Sequence, residues 1–342
     1  MKTLRESLLD IDGAESRVEL IIKIDNWCKN NIRGTYEIDE KTLVINSPSS
    51  IAITNCKLTE FPSYIRFGTV RYGFYCNDCR SLKSLEGAPK EVGMDFHCNK
   101  CRSLKSLKGA PEKVGRDFYC DYCSSLKSLE GAPKEVAEDF SCDNCRSLKS
   151  LKGAPKEVGS GFYCNSCSSL TSLEGAPEKV SRDFHCNDCC SLTSLEGAPE
   201  KVGRDFSCNS CSSLESLIGA PKKVSGNFYC HDCDLLKSLE GAPKEVGGSF
   251  QCYNCASLTS LEGSSEKVSK DFYCNNCSSL TSLEGAPKEV GGGFYCNDCH
   301  SLTSLEGAPE KVGGSFYCTN CSSLKSLEGA PKNIKDQIYS DI

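Results

Sequence analysis

From Phe74 onward the apolar positions of the chain fall in one repeating order of Phe, Cys, Cys, Leu, Leu, Gly and Val, with polar residues between them. Phe96-His97-Cys98-Asn99-Lys100-Cys101-Arg102-Ser103-Leu104-Lys105-Ser106-Leu107-Lys108-Gly109-Ala110-Pro111-Glu112-Lys113-Val114 is one unit, and the next opens at Phe118, 22 residues after Phe96. Twelve units align as F-x-C-x-x-C-x-x-L-x-x-L-x-G-x-x-x-x-V. The Phe column (Phe74 to Phe316), both Leu columns and the Gly column (Gly87 to Gly329) are unbroken; Val becomes Ile only at Ile334, and Ala-Pro fails only at Ser264-Ser265. Self-similarity at such a period marks a solenoid, in which one unit cannot bury its apolar face alone and stacked neighbours share a continuous core.

Within a unit, Phe-x-Cys alternates with period two, which predicts a short strand with Phe and Cys on its inner face. The spacing then changes to three at Cys101, Leu104 and Leu107, as in a tight helical or 3₁₀-like turn, and Gly109-Ala110-Pro111 breaks the chain before Val114 returns it. Stacked in parallel at about 4.8 Å per rung, twelve units span roughly 55 to 60 Å. The fold class is a repeat solenoid of parallel-stacked short strands with turn or 3₁₀ returns and a small N-terminal α+β cap.

Upstream material differs. Glu15 to Asn31 reads as a helix, apolar at Val18, Leu20, Ile21, Ile22, Ile24, Trp27 and Cys28, that caps the solenoid, with docking of a partner as the other reading. Thr35 to Ile38 and Thr42 to Ile45 read as strands around Glu40-Lys41. The expected divisions are a cap at 1–50, an irregular first rung and connector at 51–73, the twelve-rung array at 74–334 and a tail at 335–342. The tail is expected to fold over the last rung through Ile338, Tyr339 and Ile342; docking, end-to-end self-association included, is the other way to cover that end.

The motif Phe-x-Cys-x-x-Cys-x-x-Leu-x-x-Leu resembles the leucine-rich repeat pattern, and Cys167-Ser168-Ser169-Leu170-Thr171-Ser172-Leu173 is similar to a run in the BspA-like (Treponema-type) repeats. Ile51-Ala52-Ile53-Thr54-Asn55-Cys56-Lys57-Leu58-Thr59-Glu60-Phe61-Pro62 fits L-x-L-x-x-C-x-L-x-x-L-P throughout. The S-L-T-S-L-E-G-A-P phrasing is also similar to repeat proteins of bacteriophages and large viruses. The resemblance implies that the first Cys of each pair is an inward strand residue. It implies that the second is a ladder residue whose side chain bonds the neighbouring backbone.

Composition narrows the function. A net charge of −6, with Lys and Glu alternating before each Val, reads as a solvated mixed-charge edge; no basic patch that would hold phosphates is visible, and nucleic acid is not expected as a partner. No stretch reaches the length of an apolar membrane span, and Met1 to Ser7 carries charge where a signal peptide needs an apolar core, so a cytoplasmic or host-intracellular protein is expected. The 27 cysteines include twelve Cys-x-x-Cys pairs whose spacing also suits zinc sites, so a zinc or iron-sulfur array beginning at Cys76, Cys79, Cys98 and Cys101 is the alternative. The repeat produces the same spacing by itself, and cysteine is a small buried hydrophobe. Parallel stacking also brings equivalent cysteines of neighbouring rungs to about 5 Å, within disulfide range, so disulfides are a further alternative; reduced structural thiols are expected, with no cofactor. No nucleophile has a recurrent base, so an enzyme is not expected.

The residue between Phe and the first Cys points outward. Down the stack it reads Tyr75, His97, Tyr119, Ser141, Tyr163, His185, Ser207, Tyr229, Gln251, Tyr273, Tyr295, Tyr317. Asp95, Asp117, Asp139, Asp183 and Asp205 run along one side and Asn77, Asn99, Asn165, Asn187 and Asn209 along the other. Tyrosine offers a large rigid contact with a polar tip, and Asp and Asn offer fixed hydrogen-bond groups, which is the chemistry of a protein-recognition face. Strand propensity alone would also favour Tyr there. The expected function is a non-enzymatic scaffold that binds a protein through this face.

Overall fold

The computed structural model describes residues 16–53 and 56–342. The charged start Met1 to Ser7, Glu15, and Thr54-Asn55 of the irregular rung lie outside them. Helix α1 (Arg17–Asn31) opens on a capping box: Ser16 accepts from the Glu19 N–H, and the Glu19 carboxylate accepts from the Ser16 N–H. Its buried stripe is Leu20, Ile24, Trp27 and Cys28, and Trp27 meets Phe61 and Phe67 edge to face at 6.5 and 6.4 Å. The helix thereby covers the first rungs. Strands β1 (Glu37–Asp39) and β2 (Val44–Ser47) form an antiparallel hairpin, one to two residues downstream of the strands expected from sequence.

β3 (Ile51–Ala52) begins one parallel sheet, followed in order by the twelve Phe strands, Phe74–Tyr75 through Phe316–Cys318. Register is uniform: Phe pairs with Phe of the next rung and each outward residue with its counterpart. The expected returns are themselves strands. β2, β4 (Phe67–Val70) and twelve Val strands, Glu91–Val92 through Asn333–Ile334, make a second parallel sheet on the other side of the core. One inward Val per rung, flanked by charged residues, is too short a pattern to distinguish a strand from a turn by periodicity.

Between the sheets the chain turns twice by single i→i+3 bonds, such as Leu104 N–H to the Cys101 carbonyl and Ala110 N–H to the Leu107 carbonyl, and no 3₁₀ helix forms among the described residues. Each rung also carries one non-glycine residue with φ near +57°, from Asp78 to Asn320, between its two cysteines. The unbroken Gly column has a steric cause: at Gly153 φ is +94°, and a Cβ would come within 2.6 Å of the Glu130 backbone in the rung below.

The core is a thin continuous prism. All twelve Phe rings are fully buried and stack rung on rung at 5.1 to 5.5 Å, nearly parallel except for a 31° tilt between Phe228 and Phe250. Beyond residue 334 the tail adds a strand (Ile338–Ser340) in register, with Phe316 opposite Ile338 and Tyr317 opposite Tyr339. The tail thus extends the sheet by one more strand, while Ile342 stays exposed. No helix among the described residues is long and apolar enough to cross a membrane.

Candidate functional site

Every side chain of the expected face is positioned by the short Phe strands, which turn Phe inward and its successor outward. The outward rings form an interrupted column. Tyr75 meets His97 edge-on at 5.1 Å, and His97 stacks on Tyr119 at 4.6 Å. Tyr163 meets His185 at 5.3 Å. From Tyr273 through Tyr295 and Tyr317 to Tyr339 the rings stack at 4.5 to 4.6 Å with planes within 10°. Ser141, Ser207 and Gln251 interrupt it, and the two serines are buried. The aromatic column residues from Tyr75 to Tyr317 are half-buried, and where the rings stack, at His97–Tyr119 and from Tyr273 to Tyr339, neighbouring rungs hold their faces, so edges and hydroxyl groups are what reach solvent there. Tyr163 lies back over Gly161, where a Cβ would meet its hydroxyl at 2.3 Å.

Both flanking columns do structural work that the sequence did not reveal. Asp117 Oδ1 accepts from the Asp139 N–H at 2.9 Å, Asp139 from Gly161, Asp183 from Asp205, and Asp205 from Asn227. On the other side the Asn99 N–H donates to Asn77 Oδ1, and Asp121, Asp143, Asn165 and Asn187 continue that chain. These carboxylates and amides satisfy backbone donors of the following rung, so an inward-turned oxygen is not offered to a partner. Asp95 takes the Tyr75 hydroxyl at 3.2 Å on one oxygen, while its other oxygen and His97 Nε2 are buried without a hydrogen-bond partner among the described residues. Burial lowers the His97 and His185 pKa values despite the nearby carboxylates, and raises that of Asp121 to about 6.

One aromatic group was missed. Opposite the Gln251 gap the ring contacts step sideways into the Asn column: Tyr229 meets His231 edge-on at 6.5 Å, and His231 stacks on Tyr253 at 4.2 Å. Asp232 holds His231 Nδ1 at 2.6 Å. The signal was present, since His231 and Tyr253 are the aromatic residues of a column otherwise made of Asn, Asp and Thr.

The cysteines follow the ladder geometry that the resemblance implied. The second thiol of each rung donates to the carbonyl of the first Cys one rung earlier, from Cys101 to Cys76 at 3.2 Å through Cys321 to Cys296 at 3.2 Å. First-column cysteines face the core; burial pushes the Cys164, Cys186 and Cys208 thiols far above the ordinary range. Of 25 free cysteines only Cys190 is exposed. The expectation of free thiols fails at one place: Cys56 of the irregular rung and Cys79 of the next are joined by a disulfide, with a Cα separation of 4.8 Å. Of the alternative metal set, Cys79 is in that bond, Cys101 is committed to the Cys76 carbonyl, and Cys98 is buried. Among the described residues no group of three or more His, Cys, Asp or Glu is placed to hold a metal ion.

No protein-family model matches the chain, and no curated protein matches it. Among solved structures the chain is similar to a leucine-rich repeat protein from Bacteroides ovatus, at 15% identity over 90% of this chain and 89% of that one, with a TM-score of 0.45. The parallel register, the inward ladder residue and the 22-residue rung are those of a leucine-rich-repeat-like solenoid.

Proposed function

We propose that this leucine-rich-repeat-like solenoid is a non-enzymatic scaffold that binds a protein partner through the outer face of its Phe sheet. One observation carries the reading: the outward aromatic column, which presents tyrosine edges and hydroxyls along the sheet from Tyr75 to Tyr339. Sugars and bases are gripped by ring faces, and along the longest stacked run, Tyr273 to Tyr339, neighbouring rungs occupy those faces. Ring edges with hydroxyl tips suit a protein surface. The contact residues are Tyr75, Tyr119, Tyr163, Tyr229, Tyr273, Tyr295 and Tyr317, with His97, His185, His231 and Tyr253 among them. The Asp and Asn residues of the flanking columns fix the face rather than touch the partner.

The test is Tyr163→Ser, Tyr229→Ser and Tyr273→Ser together, a change the fold tolerates because Ser141 and Ser207 already hold that column. Proteins cross-linked to the parent chain in its native host should be lost from this variant. They should be retained by a control with Lys134, Lys156 and Lys244 changed to Ser on the Val sheet. An unchanged cross-linked set in the tyrosine variant would show that the face is wrong.

A further inference from the structure

Stacking converts every position of the repeat into a column, and one column on the turn edge carries a charge pattern invisible along the chain. Lys83, Lys105, Lys127 and Lys149 occupy the same place in four successive rungs, and all are exposed. Their backbones are bonded one to the next, Lys127 N–H to the Lys105 carbonyl and Lys149 N–H to the Lys127 carbonyl, both at 3.3 Å. Arg102 and Arg146 stand one turn away on the same edge. None of these six side chains has an ion pair among the described residues. The acid beside them, Asp78, is held by Arg80 at 2.7 Å. In the next column signs alternate and pair internally, Lys108 with Glu130 and Lys152 with Glu174.

The fold does not ask for these lysines. The same column is Thr171 and Thr193 in the next two rungs and Thr259, Thr281 and Thr303 later. There the hydroxyls reinforce the stack, Thr281 Oγ1 donating to the Thr259 carbonyl and Thr303 Oγ1 to that of Thr281. Like charges in direct register repel. Four in succession oppose the stacking that threonine would support, so an anion outside the chain is what would balance them.

We infer that this strip docks a short acidic segment of a protein partner; the class of partner rests on the scaffold reading, while the surface is separate from the tyrosine face. Length decides between polyanions. Four rungs cover about 14 Å, the reach of about four extended residues. Beyond them the column is neutral at Thr171 and Thr193, and the next two charges in it, Glu215 and Lys237, pair with each other at 3.0 Å. A nucleic-acid strand continuing along the rod would leave the positive strip and find no unpaired cation in that column over the next four rungs, whereas a run of a few Asp or Glu residues fits within the strip.

The experiment measures binding of fluorescein-labelled octaglutamate and of an octathymidylate by fluorescence anisotropy at low and moderate salt. It compares the parent chain, a strip variant (K83T, K105T, K127T and K149T) and a control with the same charge change on the Val sheet (K244T, K267T, K288T and K311T). The parent should bind octaglutamate in a salt-sensitive way, the strip variant at least about tenfold more weakly, and the control like the parent. The strip variant should melt no lower than the parent. Absent binding, equal binding by parent and strip variant, a lower melting temperature of the strip variant, or tighter binding of octathymidylate would each overturn the inference, the last by assigning the strip to nucleic acid. The tyrosine triple variant should bind octaglutamate normally, so failure of one surface is distinguishable from failure of the other.

Discussion

At the scale of single residues, the polar side chains of this protein serve the stack before they serve a partner. Asp121 shows the cost. Its carboxylate accepts from Ser141 Oγ at 2.6 Å and from the Asp143 N–H at 2.9 Å, yet burial, with Asp143 nearby, raises its pKa to about 6. A carboxyl raised in the folded state stabilises fully below its unfolded value near 4, and that stability is lost as pH rises through about 6. Asp121→Asn keeps the accepting oxygen and matches Asn99 and Asn165 in the same column. It should stabilise the protein by about 1 to 2 kcal/mol at pH 7.5 and by little at pH 4, measured by urea unfolding at both values. Greater destabilisation at pH 7.5 would mean that the ionised carboxylate supports the ladder.

At the scale of the rung, the two cysteine columns have different duties although they read alike. Cys167 donates to the Cys142 carbonyl at 3.3 Å, and a hydroxyl in that place can make the same bond. Cys164 faces the Phe stack fully buried, and a hydroxyl there loses apolar contact. Cys167→Ser should therefore cost less than about 1 kcal/mol and Cys164→Ser about 1 to 3 kcal/mol, read from denaturant midpoints at constant slope. Equal costs would mean that the ladder bond does not distinguish the columns. The period of 22, the inward Phe and the resemblance to leucine-rich repeats made this division legible in the order of residues. The second sheet was not legible, because a strand with one inward residue has no alternation to display. The tail strand could have been read: Ile338 and Tyr339 lie 22 residues after Phe316 and Tyr317, and Ile338 in place of Phe and Ser340 in place of Cys hid them.

At the scale of the whole molecule, each rung touches its neighbours and little else, so the array should tolerate a change in rung number but not in phase. Removing residues 184–205 joins Asp183 to Phe206 and keeps every column in register. That chain should fold with the same circular dichroism per residue and a denaturant slope lower by roughly a fifteenth, in proportion to the surface lost. Removing residues 184–194 alone would set Leu195 where a Phe strand begins and should prevent cooperative unfolding. Folding of the second chain, or collapse of the first, would show that rungs are not interchangeable units.

The sequence by itself determined the rung, its inward residues, its glycine and proline breaks and the number of regular repeats, because those follow from local periodicity and from glycine and proline at fixed offsets. The tertiary structure alone decided what the polar and charged columns mean. Parallel stacking placed residues one rung apart within bonding distance, and this turned the Asp and Asn flanks into backbone acceptors, paired Cys56 with Cys79 across the irregular first rung, and gathered four scattered lysines into one unpaired strip. Spacing along a chain records which neighbours recur, but charge and hydrogen bonding act across the stack, where only the register sets who meets whom.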